Sequence, residues 1–338
     1  MKIRPLLMVS ESIHNADMYY ATRFLSEAPF IYLHLPYKGT EKDMLIVSQM
    51  EYERAKKESF VKEIRSTFDY GYGLKTEELI TKILQEEDIK AVEVPGYFPL
   101  YTADELRKKG IDVVPVEELI MTKEREIKDE TEISYLRKAQ RACEHAMETA
   151  IAVIKKSSVK DNFLIENGEI LTSERVKACV EYTLFDFGCA CDVGDLIVAS
   201  GKRAADPHFS GSGPIYANES IVIDISPRLK SERYYADMSR TVLRGEPGKE
   251  IKEMYEAVKH AQEASLALIR EGVTCREVHN LVCDIFEERG YGTIRKRSKK
   301  GFIHLTGHGV GLDVHENPRV GDNDYELRKG NVITIEPG

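Results

Sequence analysis

Gly307-His308-Gly309-Val310-Gly311-Leu312-Asp313-Val314-His315-Glu316-Asn317-Pro318 sets one histidine between two glycines and a second beside a carboxylate. Backbone flanked by glycine can approach another group closely, so His308 suits a ligand better than a packed core residue. Downstream, Val332-Ile-Thr-Ile-Glu336 is a β-branched run, predicted as a strand, whose carboxylate emerges just before Pro337-Gly338.

Upstream, Ile221-Val-Ile-Asp-Ile-Ser226 reads as a strand in which Asp224 shares a face with Val222 and Ser226, opposite Ile221, Ile223 and Ile225. After Pro227 and a polar stretch to Arg233, Tyr234 to Leu243 reads as a returning strand with Asp237 on the face of Tyr235, Ser239 and Thr241. A turn centred on Lys230-Ser231 would set Asp224 and Asp237 directly opposite, with Cβ atoms ~4.5–5.5 Å apart. Two carboxylates that close in a half-buried sheet share a proton, meet a basic partner or bind a cation. His308 and Glu336 favour the cation, because two aspartates, a histidine and a glutamate on separate strands are the donors of a two-metal hydrolase site. Its expected work is to lower the pKa of water from 15.7 toward ~7, with two ions ~3.5–4 Å apart holding a bridging hydroxide. The tetrahedral intermediate then needs a positive or hydrogen-bonding partner, for which His208 in Asp206-Pro-His-Phe209 and His315 are the candidates. His145, His260 and His279, in helical stretches, read as structural or exposed.

The 338 residues, 42% hydrophobic and 31% charged, are enough for two domains. A net charge of −9 and short basic runs, of which Lys296-Arg-Ser-Lys-Lys300 is the strongest, argue against nucleic acid as the main partner. Six cysteines form no C-x-x-C pair and read as reduced thiols. The apolar run Leu6–Val9 stops at Ser10-Glu11, too short for a signal-peptide core, and no run has transmembrane length. A cytoplasmic protein without a membrane partner is expected. The first ~120 residues alternate strand-like stretches (30–35, 44–47, 91–94, 113–114) with helical ones (76–87, 102–109), as α/β units do. From Asp129 to Lys155 a long amphipathic helix marks entry to a second domain, with further helices over 172–183, 251–271 and 275–289 among strands, which makes it α+β.

On the string 307–318, the two aspartate strands, Arg125-Glu-Ile-Lys-Asp-Glu-Thr-Glu-Ile133 and the Ser200-Gly201 to Pro207-His208 segment, the chain resembles the pita-bread metallopeptidases. Within them it resembles the two-domain branch of Xaa-Pro dipeptidases (prolidases) and Xaa-Pro aminopeptidases. The resemblance implies a pita-bread (creatinase/aminopeptidase-like) catalytic domain at 125–338 behind a smaller creatinase-N-terminal-like α/β domain at 1–124. It implies two divalent metal ions (manganese, cobalt, iron or zinc) and no other cofactor. Asp224 would bind one metal, Asp237 would bridge, and His308 and Glu336 would bind the second. His208 and His315 would position the scissile bond and stabilise the intermediate, and Glu336 would also handle the proton of the attacking water. The implied substrate is a peptide with proline at its second position, and the implied assembly is a homodimer. Relatives carry a further bridging glutamate after Ile-Glu-Pro-Gly; the sequence stops at Gly338, so the last hairpin is expected to be missing. Ser226, where glycine is common, and the polar Lys202-Arg203 depart from the pattern. A methionine aminopeptidase-like enzyme or other pita-bread aminopeptidase, a metal-free creatinase-like hydrolase and a non-catalytic binding module are the alternatives.

Overall fold

Apolar residues alternate along Phe30–Tyr37, and the strand sends Ile31, Leu33 and Leu35 to one face of a sheet and Phe30 and Tyr32 to the other. The structure, a computed structural model, describes residues 4–37, 40–192 and 194–338. The chain divides into two units, Met1–Arg125 and Glu126–Gly338.

In the first unit the sheet runs in the order Glu63–Ser66, Thr40–Val47, Phe30–Tyr37, Leu6–Ser10, Ala91–Pro95, Asp112–Val116. Helices Thr76–Glu86 and Leu100–Lys108 close one face with Leu79, Ile80, Ile83, Leu84 and Leu106. Met18, Ala55 and Met121, from helices Ala16–Thr22, Tyr52–Glu58 and Ile120–Glu124, close the other. The expected α/β layering is present, with strands Leu6–Ser10 and Glu63–Ser66 and the short helices Ala16–Thr22, Tyr52–Glu58 and Ile120–Glu124 added to it. Leu6–Ser10 is a central strand, with Leu7 in one core and Leu6 and Met8 in the other. A strand covered on both faces carries an unbroken apolar run, which hides its period.

In the second unit, helices Glu130–Lys156 and Ser173–Asp186 pack together, as do Lys249–Leu268 and Cys275–Glu288. Strands Leu196–Ser200, Ile221–Ile225 and Met238–Val242 form an antiparallel sheet with Ile221–Ile225 in the middle. Ile221, Ile223 and Ile225 are fully buried, and Cys143 of the long helix donates its thiol to the Ile225 carbonyl at 3.3 Å. The opposite face therefore carries Val222 and Asp224. Among the described residues, no helix is long and apolar enough to cross a membrane.

The long helix starts where Asp129 accepts the Glu132 N–H at 2.8 Å and Glu132 Oε2 accepts the Asp129 N–H at 2.9 Å. Glu132 Oε1 accepts the hydroxyl of fully buried Tyr234 at 2.6 Å, so the cap also anchors the connection between the two aspartate strands. Tyr234→Phe deletes a hydrogen bond to a buried carboxylate. It is expected to lower stability by about 1.5–3 kcal/mol in urea unfolding followed by circular dichroism.

That connection corrects the expected register. Asp224 pairs with Ser239, and the returning strand is regular only over Met238–Val242. The loop spans 230–233, with Arg233 at φ 69°, and closes through Leu229 N–H to Tyr234 O and Ala236 N–H to Pro227 O. Its centre lies one residue beyond the expected turn, which moves the pairing by two. Asp237 stays on the face of Asp224 as a diagonal neighbour, level with Ser226.

Candidate metal centre

Residues 306–310 run between two other extended segments. On one side Gly307 pairs with Val320 and Gly309 with Glu316, with a register shift between them. On the other, Val310 N–H bonds Val332 O, Thr334 N–H bonds His308 O at 2.8 Å and Glu336 N–H bonds Thr306 O at 2.9 Å. The predicted strand at 332–336 is thus an extended segment with one isolated bridge, Ile333 to Gly309. It is not a regular strand, because the His308 N–H turns to the Thr334 hydroxyl at 3.0 Å instead of a backbone carbonyl. The glycines flanking His308 permit this crowding. A Cβ on Gly307 would lie 2.0 Å from Thr334 O, and one on Gly309 would lie 2.2 Å from Asn317 O.

His308 is buried, and its Nδ1 lies 3.0 Å from Gly309 O, which assigns the proton to Nδ1 and turns Nε2 to the carboxylates. Nε2 is 3.3 Å from Asp237 Oδ2 and 3.1 Å from Glu336 Oε1. One ligand atom from each of Asp237, His308 and Glu336 lies within 4.8 Å of the others. Ser226 donates its hydroxyl to Asp237 Oδ1 at 3.3 Å, and Ser239 donates to Asp224 Oδ1 at 2.7 Å.

The electrostatics match this crowding. Burial raises Asp224 to about 6 despite the Ser239 bond, and the negative charges of Asp237 and Glu336 add to the rise. Burial alone would lower His308, but hydrogen bonds to Asp237 and Glu336 outweigh it and lift the imidazole to about 10. Several negative charges converge where one proton resides, so a divalent cation in its place meets two carboxylates and an imidazole lone pair. These donors fit manganese, iron, cobalt or zinc.

His315 is exposed on one side, and its ring meets that of His308 edge-on, with centroids 4.3 Å apart. Partial burial lowers its pKa, and the charge on His308 lowers it further. His208 stands apart from this group. It is exposed on the turn after Gly201–Ala205, its N–H bonds Asp206 at 3.3 Å, and among the described residues no hydrogen bond, ion pair or ring contact joins it to the centre.

Two residues near the centre carried no clear sequence signal. His279 is buried, with Nδ1 2.9 Å from the Thr306 hydroxyl, and Thr306 is the residue whose carbonyl holds the Glu336 N–H. Its place on the apolar face of a helix, between Val278 and Val282, was the one hint. Lys128 lies far from the centre in sequence and pairs with Glu316.

Comparison with known proteins places this geometry. Metallopeptidase family M24 matches residues 134–338, more than half of the chain. The Xaa-Pro dipeptidase of Pyrococcus horikoshii is 34% identical over 304 residues, covering 88% of this chain and 77% of that protein. The solved structure of an Xaa-Pro dipeptidase from Bacillus anthracis has a TM-score of 0.82 at 26% identity, covering 99% of this chain and 85% of that one. The X-Pro aminopeptidase of Thermotoga maritima has a TM-score of 0.77 at 27% identity, covering 98% and 87%. The fold is that of the pita-bread enzymes. With the donors of a divalent-metal site in one place and this likeness along nearly the whole chain, the protein belongs to metallopeptidase family M24.

Proposed function

We propose that this metallopeptidase hydrolyses the bond between an N-terminal residue and proline, with two divalent ions held by Asp224, Asp237, His308 and Glu336. The convergence of Asp237 and Glu336 on His308 Nε2 carries this reading. It is supported by 34% identity to a protein named Xaa-Pro dipeptidase. Bound there, divalent ions supply Lewis acidity and a hydroxide nucleophile near neutral pH.

The chain's own residues do the rest. Glu336, on the accessible side of the cluster, takes the proton released by the attacking water. His315, held neutral by partial burial and by His308, offers an N–H to the oxygen that becomes negative in the tetrahedral intermediate. His208, on its exposed turn, positions the peptide when substrate arrives. Asp237 holds its place through Ser226, so the serine that replaces the family's common glycine serves the ligand set.

Chelator-stripped protein, restored separately with Mn²⁺, Co²⁺ or Zn²⁺, is to be timed on Xaa-Pro, Xaa-Pro-Yaa and Met-Ala-Yaa peptides. The expected result is metal-dependent cleavage before proline. Faster turnover of the dipeptide makes it a prolidase, and faster turnover of the longer peptide makes it an Xaa-Pro aminopeptidase. Cleavage of Met-Ala-Yaa alone would overturn the proline specificity.

A further inference from the structure

A buried charge pair reaches the candidate centre from the start of the second unit. Lys128 Nζ lies 2.5 Å from Glu316 Oε1, and the two side chains are 1% and 6% exposed. An ion pair this deep depends on both members, because removing one leaves the other charged where water cannot reach it. Lys128 is fixed on its own side, its N–H bonding Gly330 O at 2.9 Å.

Glu316 is the organising group of the loop before it. It faces Gly309 across the two-stranded ladder, and its Oε2 accepts the Asp313 N–H at 3.4 Å. Its carboxylate also fills the space beside Gly311, where a Cβ would come within 2.3 Å of Oε1. Residues 311–316 are therefore wrapped around one carboxylate, and His315, the residue just before Glu316, stands edge-on to His308.

We infer that Lys128 is a positioning residue: through Glu316 it fixes the 311–316 loop, and with it the place of His315 beside His308. The three clustered donors have anchors of their own in the Thr334, Thr306 and Ser226 bonds. Loss of Lys128 thus moves His315 and leaves Asp237, His308 and Glu336 in place. The catalytic part of this inference rests on the role proposed for His315.

Lys128→Met keeps the aliphatic stem and deletes the charge. Expected are amide hydrogen exchange that speeds up across 311–316 and not across Lys249–Leu268, and manganese per chain as in wild type. Turnover (kcat) should fall about 10- to 100-fold with KM unchanged, the scale of a small misplacement of a reacting group. On a His315→Ala background the same change should add less than about twofold, because the two act as one unit. Lys128→Arg should keep wild-type exchange. Glu316→Gln should reproduce Lys128→Met and carries the same measurements if that variant does not fold. Unchanged exchange across 311–316, or a full further loss on the His315→Ala background, would overturn the inference. Exchange needs no peptidase activity, so a wild type that cleaves no Xaa-Pro peptide would sink the proposed function while the loop is still judged by its amides.

Discussion

Replacing His308 with alanine is expected to lower kcat/KM for Xaa-Pro hydrolysis by about 10³-fold or more, equivalent to about 4 kcal/mol of transition-state stabilisation. The size follows from what the imidazole does. It is the one nitrogen donor among the clustered ligands Asp237, His308 and Glu336, and its Nδ1–H to Gly309 O orients Nε2 toward Asp237 and Glu336. Without it the two carboxylates face each other with no nitrogen between them, and a divalent ion loses one ligand and the orientation of the rest; a metal's Lewis acidity is itself worth several kcal/mol. Steady-state kinetics with metal analysis of the same sample tests this. A variant with wild-type kcat/KM would remove His308 from the site. Circular dichroism should show the fold retained, since the backbone of 306–310 is held by Thr306, Val310 and Thr334 bonds that need no imidazole.

The second large effect is on stability. Removing divalent metal is expected to destabilise the protein, and more so as pH rises from about 4 to about 10. Burial pushes Asp224 in the folded protein up to about 6 from its ordinary 3.8, so its contribution to the metal-free fold is present below 3.8 and lost as pH rises through about 6. His308 titrates at about 10 against 6.5, so its contribution is present below 6.5 and lost as pH rises through about 10. Both groups oppose the metal-free fold in alkali. A cation that replaces these protons reverses the trend, and at about a hundredfold excess over Kd it adds about 2.7 kcal/mol. Thermal midpoints of stripped and manganese-loaded protein at about pH 5, 7 and 9 should show a gap that widens with pH. A gap that narrows with pH would contradict the charge balance described for the cluster.

Much of the candidate centre was legible because its residues break local rules. Asp224 interrupts a run of isoleucines, His308 sits between glycines, and Glu336 ends a β-branched run, each a local conflict that packing alone does not explain. The long helices were equally plain, since an amphipathic period over Glu130–Lys156 or Cys275–Glu288 repeats several times before a cap ends it, whereas Ala16–Thr22, Tyr52–Glu58 and Ile120–Glu124 are too short to repeat one and went unread. The failures were those of register and distance. The loop at 230–233 turns through a left-handed Arg233 that no glycine or asparagine advertises, so the centre of the hairpin was placed one residue early. The segment 332–336 has a strand's composition and lacks its regular ladder because a threonine hydroxyl replaces a carbonyl. Lys128 and His279 act on the site from distant parts of the chain, and nothing in the residues around them names their partners.

Release of free proline from an Xaa-Pro dipeptide tests the central claim most directly, measured on the purified protein, after chelation, and after return of Mn²⁺. The cluster of Asp237, His308 and Glu336 predicts that hydrolysis falls to background on chelation and returns with the metal. Hydrolysis that survives chelation, or that no divalent metal restores, would contradict it.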